Sequence, residues 1–428
     1  MVSGFVAIPL LIKALGIEGF GVYSTVIAAL GFSGILDLGF SIGVNKFVAE
    51  AIHEGNRDRL EGVISSAIAS QILLGAFVAF LLILFSEKIV GLLKIPNELW
   101  EAALWAFRIT SVGVPASLVF SILIGALNGM ELFSRSSLIV AGISVLSSVG
   151  NVLLAFFGYS IVYLALLNLF LTLCAIIGIS LFLKSRFDRI RIFLHFVRDE
   201  WYRVFAFGSY LTLSRLYAFS VDPMLRLFVG ITFGPVAVAY YAVPSKLLSS
   251  INVLFNKVAE VLMPRTARAL SARDNESVYR MFLVAMKANL ILSTALFLGI
   301  AICSRIILRV WVGASFADQG WIVMVPLCFS YMISAQTTIP WTIALGGGLS
   351  KLQAGFALLS FLVLSALIYP AANLIGVSGP ACAFLASSFL GYFAISRISL
   401  RVFGVGTLSL IKGIQSTSLA PVLRGLFR

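Results

Sequence analysis

Runs of about 20 apolar residues, the length a helix needs to cross roughly 30 Å of hydrocarbon, recur from one end of this sequence to the other. No feature constrains the fold more, because backbone amides inside lipid must find their partners within the chain. Composition agrees: 60% of the 428 residues are hydrophobic and 11% are charged. The chain reads as an all-α polytopic membrane protein with no soluble domain left over.

Full spans are expected at 19–44, 62–86, 101–127, 137–157, 161–183, 204–230, 233–258, 281–302, 321–345, 351–373 and 378–396. Residues 1–12 form an apolar stub that rises only about 18 Å as a helix, so the sequence is read as beginning inside a first helix, for about twelve in all. The connections at 158–160, 231–232 and 374–377 are so brief that the helices they join must be antiparallel neighbours.

Cytoplasmic loops retain Lys and Arg. On one side lie fifteen basic loop residues, among them Lys46, Arg59, Arg135, Arg198 and Arg280, and five more in the tail; the other side has Lys13, Lys88, Lys94, Arg305 and Arg309. Both termini are therefore expected in the cytoplasm. This bias accounts for most of the net charge of +13 without nucleic acid. Cys174, Cys303, Cys328 and Cys382 stand singly as core thiols, and His53 and His195 are isolated in charged loops, so no metal site or catalytic base emerges.

Four regions are read from this pattern: a six-helix lobe over 1–183, an interfacial linker helix over 184–203, a second six-helix lobe over 204–396 and a basic tail over 397–428. The stretch beginning at Ala14 and that beginning at Phe228 share a glycine turn, an aromatic opening to the span, then NKFVAE or NKVAEV before a charged loop. Six helices separate them, so the lobes are expected to be parallel repeats about an axis along the membrane normal, with a cavity between them.

The spans carry charges that lipid should exclude, at about 2.5–3.5 kcal/mol each on insertion scales. Arg215, Asp222 and Arg226 are spaced by seven and four, which puts them on one helical face beside Pro223. Lys246 follows Pro244, Arg108 lies in the opening turns of 101–127, and Asp37 sits among Gly31, Gly34, Gly39 and Gly43. Cations outnumber carboxylates within the spans, which suits an anionic substrate: arginine grips phosphate bidentately and lysine acts as a point charge. Asp222 and Asp37 are the candidate counter-ions, or ligands for a coupling H+ or Na+; the plainer reading of Asp222 is an ion pair with Arg226 or Arg215 that staples helices. No other cofactor is expected.

The segments LGIEGFGVYS, LDLGFSIGVNKFVAEA and VDPMLRLFVGITFGPVAVAYYAVPSKL resemble those of the polysaccharide-transport, or O-antigen (Wzx-type), flippases of the superfamily that includes the MATE exporters. The resemblance covers nearly the whole chain. It implies a flippase, not an enzyme, that carries undecaprenyl-pyrophosphate-linked oligosaccharide, as for lipopolysaccharide, across a bacterial or archaeal cytoplasmic membrane. It also implies two six-helix lobes around a cationic cavity, with Asp222 and Lys246 at the family's acidic and basic positions of the seventh and eighth helices. Arg215, Arg226, Lys246 and Arg108 would then hold the pyrophosphate, in a monomer working beside polysaccharide polymerase or ligase proteins.

Two rivals make different demands on the sequence. A MATE-type cation or drug exporter calls for excess acid at cavity depth, whereas this chain has excess base. A membrane glycan polymerase or ligase calls for a large external loop, and the longest candidates, 87–100 and 303–320, are short and lack histidine.

Overall fold

In the computed structural model, residues 2–31, 36–37, 39–186, 196–271, 275–346 and 349–417 are described; at 2–3, 29–30, 209–216, 218–220, 260–271, 275, 277, 345–346 and 350 only the backbone is. The described residues form helices joined by short turns, without strands. They divide into two compact units, Met1–Ala242 and Val243–Arg428.

The first unit contains α1 (Val2–Gly31), α2 (Phe40–His53), α3 (Arg57–Leu84), α4 (Ser86–Leu92), α5 (Asn97–Gly129), α6 (Phe133–Phe156), α7 (Ile161–Arg186) and α8 (Arg198–Phe233). α9 (Pro235–Ser271) starts in this unit and runs on into the second. α5 lies at the centre, packed against α1, α2, α3 and α7, while α8 packs on α1, α2 and α3. By that packing α8 clusters with the helices before it. Of the expected linker at 184–203, 187–195 lie outside the described residues, and α8 has already begun at Arg198.

Two clusters fill the first unit, one around Val44, Ile64, Ile122, Leu127 and Leu183, the other around Val22, Val90, Leu93, Ala106 and Phe107. Lipid is as apolar as these side chains, so association rests on close packing and small residues at crossings. A Cβ on Gly75 would come within 2.6 Å of Pro115 Cα, and one on Gly125 would collide with the Ser41 carbonyl oxygen.

The second unit contains the rest of α9 with α10 (Asn275–Ile302), α11 (Ser304–Trp311), α12 (Ala314–Gly346), α13 (Ser350–Ile375), α14 (Gly379–Ser388), α15 (Leu390–Phe403) and α16 (Thr407–Ser416). α12 is central here, against α10, α11, α14 and α15. The tail helix α16 docks on α10, burying Leu410 among Phe282, Leu283, Met286 and Ile343.

Eight helical stretches among the described residues are long and apolar enough to cross a membrane, the last of them, Lys351–Phe403, holding α13 to α15. Within the expected span 19–44, Gly39 takes the left-handed conformation (φ 71°) and α2 starts at Phe40, its opening amides accepted by Asp37. The expected span 204–230 runs a little further, since α8 continues to Phe233 and breaks at Gly234, inside the turn read at 230–235.

Gly16 (φ 74°, ψ 168°) and Gly234 (φ 84°, ψ −179°) adopt the same backbone conformation, one that only glycine visits readily. Each opens a helix running into a later charged segment, so the two copies recognised in the sequence share a turn geometry.

Candidate functional site

Asp37 lies just before the start of α2 at Phe40. Its Oδ2 accepts from Ser41 N at 3.2 Å and Ser41 Oγ at 2.7 Å, and its Oδ1 accepts from Ser121 Oγ of α5 at 2.8 Å. Asp37 is 8% exposed. Its backbone oxygen accepts from Phe40 N and from Gln71 Nε2 of α3, at 2.8 and 3.1 Å. The neighbouring Gly39 lies so close to Gly208 of α8 that a Cβ would strike its carbonyl. Hydroxyls and amides therefore hold Asp37, and no cation pairs with it among the described residues.

On α8 the polar stripe expected from the seven and four spacing is present in part. Arg226 Nη2 lies 2.9 Å from Asp222 Oδ2, with side chains 15% and 38% exposed. The buried Nε of Arg226 has no hydrogen-bond partner. Pro223 faces the end of α1, where a Cβ on Gly31 would come within 2.6 Å of its Cγ. The backbone of Arg215 belongs to α8, but its side chain lies outside the described residues.

Lys246 is exposed on α9, two residues after Pro244 and within the second unit. Arg108 is committed elsewhere: its Nε donates to Ser86 Oγ at 3.0 Å, its Nη2 to Glu87 Oε1 at 3.0 Å, and its guanidinium lies 5.6 Å from the Trp105 ring centre. Lys287 of α10 donates its Nζ to Gln415 O and Thr417 O at 2.8 and 2.7 Å, neutralising the carbonyl end of α16.

Three polar groupings carry no obvious sign in the sequence. In the first unit a cavity of about 300 Å³ is lined by α1, α5, α6 and α7, with Tyr23, Ser147, Asn168 and Thr172 among its polar residues. Asn151 Nδ2 donates to Tyr23 OH at 2.9 Å, and Ser147 Oγ donates to Asn168 Oδ1. In the second unit Asn252 donates to Tyr331 O at 3.1 Å and Thr338 to Asn256 at 3.1 Å. These neutral amides and hydroxyls escape a reading based on charge; asparagine within an apolar span was the available signal.

The third grouping surrounds Arg59, at the start of α3. Its Nη1 bonds Glu54 at 2.5 Å, its Nη2 Glu50 at 3.2 Å, and its Nε faces Glu200 of α8 at 3.3 Å; Arg203 reaches the same Glu200 at 3.2 Å. Beside it Val197 N donates to Ser66 Oγ at 2.8 Å. The basic loop signal used for topology thus also contains a tie between the entry to α8 and α3.

Comparison with known proteins gives a consistent picture. A Shigella flexneri protein that carries the name of an O-antigen transporter is 26% identical over 393 residues, covering 88% of this chain and 89% of that protein. A multidrug resistance MATE family transporter of the MOP superfamily, solved in an inward-facing conformation, superposes with a TM-score of 0.79 over 96% of this chain and 95% of that one, at 15% identity. A Pyrococcus furiosus MOP superfamily transporter, described as having a binding pocket of reversed polarity that suggests a different function, superposes with a TM-score of 0.62 over 94% and 95%, also at 15% identity. At that identity the likeness establishes the fold, which is MATE-like. The chain is a multi-pass membrane transporter, and its match over residues 1–270 to the family described as polysaccharide biosynthesis protein shows that it belongs to that family.

Proposed function

We propose that this transporter is a flippase for polyprenyl-pyrophosphate-linked oligosaccharide, such as an O-antigen repeat unit, moving it across the cytoplasmic membrane by alternating access. The observation that carries the reading is Arg226. Its guanidinium is held on α8 by Asp222, the more exposed partner, while its Nε lacks an acceptor that a phosphate oxygen would supply. Arginine remains charged and matches phosphate geometry. The name of the Shigella relative and the excess of Arg and Lys within the spans support the same substrate class.

In this mechanism Asp222 neutralises Arg226 in the empty carrier and releases it when pyrophosphate arrives, so the guanidinium is never left alone in a poor solvent. Arg215 and Lys246 supply further positive charge. Arg108 is left out of the set because Ser86 and Glu87 already engage it. The asymmetry of basic residues favours cytoplasmic termini, so the substrate is taken from the cytoplasmic leaflet and delivered to enzymes that polymerise or ligate glycans.

The test is complementation of a host lacking its own flippase. Arg226→Ala and Lys246→Ala each should reduce surface polysaccharide at least about tenfold, the loss of one charge-assisted phosphate contact, while lipid-linked oligosaccharide accumulates inside. Arg226→Lys should retain part of the activity. Normal surface polysaccharide in the Arg226→Ala, Lys246→Ala double variant, at wild-type protein levels, would overturn the proposal.

A further inference from the structure

The second unit carries its charge in a one-sided way that the transport proposal does not use. After Asp318 the sequence contains no Asp or Glu, yet it holds Lys351, Arg397, Arg401, Lys412, Arg424 and Arg428. The sequence reading places Arg397 and Arg401 in a basic tail. In the structure α15 continues to Phe403, so both belong to a stretch long and apolar enough to cross a membrane. Lys351, Arg397, Arg401 and Lys412 are exposed, and none of them forms an ion pair among the described residues. Arg397 and Arg401 stand four apart on one helical face, where like charges repel.

Arg397 also lines a cleft of about 550 Å³ between α13 and α15, within the roughly 300–1,000 Å³ typical of ligand sites. Phe356 and Leu359 of α13 and Leu390, Phe393 and Leu400 of α15 form its apolar walls, with Ser396 beside Arg397. The cleft opens outward: Leu359, Phe393 and Leu400 are 45%, 66% and 48% exposed. Phe356 is held edge-on against the Trp341 ring, 6.3 Å between centres. From Leu390 to Leu400 the helix rises about 15 Å, half of the roughly 30 Å hydrocarbon layer. The cleft therefore has the length of one leaflet. α13 and α15 run antiparallel through the turn at Gly376–Ser378, which brings Lys351 to the same end as Arg397 and Arg401. Ser396 Oγ lies 2.6 Å from Thr407 Oγ1, so α16 starts beside that end too.

We infer that this cleft binds an anionic phospholipid of the phosphatidylglycerol type, with an acyl chain along the α13–α15 walls and the phosphate on Arg397 and Arg401. Arginine matches phosphate with a planar fork, and its long stem carries the charge from the helix to headgroup level. The lipid phosphate relieves the repulsion between the two guanidiniums, a role that no carboxylate after Asp318 can fill. A lipid that merely coats the protein needs an apolar surface; a cleft with a basic end selects a headgroup. The asymmetry of basic residues assigns that end to the cytoplasmic leaflet, whose surface is negative. All the residues of the site belong to the second unit, and none is among those assigned to the pyrophosphate.

The experiment is native mass spectrometry of the purified full chain in detergent, titrated with dioleoyl phosphatidylglycerol, dioleoyl phosphatidylcholine or undecaprenyl phosphate. Phosphatidylglycerol is expected to bind at least about tenfold more tightly than phosphatidylcholine, the worth of one charge-assisted contact. Arg397→Gln should remove that preference and Arg397→Lys should keep part of it. Leu359→Trp fills the cleft without touching its charges and should weaken phosphatidylglycerol binding, whereas Arg305→Gln, outside the cleft, should leave it intact. Phosphatidylglycerol should also raise the unfolding midpoint of the wild type, as a ligand of the folded state does, and raise that of Arg397→Gln less. Arg397 is exposed, so its variants keep the inference open to test if Leu359→Trp does not fold. Equal affinity for the two phospholipids, an unchanged preference in Arg397→Gln, or undiminished binding in a folded Leu359→Trp would overturn the assignment. So would displacement of phosphatidylglycerol by equimolar undecaprenyl phosphate, which would give the cleft to the transported lipid. None of these outcomes depends on Arg226, so the phospholipid site and the flippase reading fail separately.

Discussion

Replacing Arg59 tests whether the entry to α8 is held by charge. Glu200 is only 11% exposed at its side chain, its Oε2 has no hydrogen-bond partner, and its Oε1 faces Arg59 Nε at 3.3 Å. Removing one partner of a buried pair costs about 3–5 kcal/mol, because the remaining charge is stranded. The Arg203 contact to Glu200 survives, but Arg203 is 54% exposed and contributes about 0–1 kcal/mol. Glu50 and Glu54 are 40% and 49% exposed and can turn to solvent, so their loss adds little. Arg59→Ala should therefore destabilise this contact by about 2–3 kcal/mol after that relief.

Hydrogen exchange reads the local opening directly and avoids the need for reversible global unfolding. At about 1.4 kcal/mol per factor of ten, the amides of the first α8 turns, from Arg198 to about Phe205, should exchange roughly 30- to 150-fold faster in Arg59→Ala. Glu200→Gln should cost much less, since it removes the stranded charge and leaves Arg59 paired with Glu54 and Glu50. The double variant should be no worse than Arg59→Ala alone. Exchange within about twofold of wild type in Arg59→Ala, or two equal and additive single effects, would refute the reasoning.

Other substitutions separate backbone strain from crowding and test the tail. Gly16→Ala has open space around the new Cβ, so its cost is the left-handed backbone alone, about 1–3 kcal/mol; Gly21→Ala forces the new methyl into the Pro235 carbonyl, and should also loosen exchange at the start of α9. Both should lower the unfolding midpoint, but only the second should alter protection near Pro235. Lys287→Met removes the ammonium that caps α16 and should speed exchange across Thr407–Ser416 by about tenfold, the worth of one charge-assisted bond. Unchanged protection there would show that Leu410 packing alone holds the tail helix.

Helix positions were largely legible because membrane helices must be about 20 apolar residues long whatever their neighbours do. The expected spans 137–157 and 161–183 correspond to Phe133–Phe156 and Ile161–Arg186. The short α4 and α11 were missed, since at seven and eight residues they lack the length on which the reading depended. The glycines around Asp37 signalled bending, but not that Gly39 takes the left-handed conformation before α2.

From the sequence alone come the membrane class, the helix lengths and the turn positions, the intramembrane charges and the resemblance to polysaccharide flippases. All but the resemblance, which rests on three particular segments, follow from composition or spacing along the chain, which the bilayer constrains before any helix meets another. The Asp222–Arg226 pair follows from the four-residue spacing already read in the sequence, whereas tertiary structure alone decided the distant pairings: Arg108 went to Glu87, Arg59 to Glu200, and Asp37 to hydroxyls and a glutamine. Those pairings join residues up to 141 positions apart, as with Arg59 and Glu200, and they depend on which helix faces pack together. The helical period places a side chain on a face; only packing determines what that face meets.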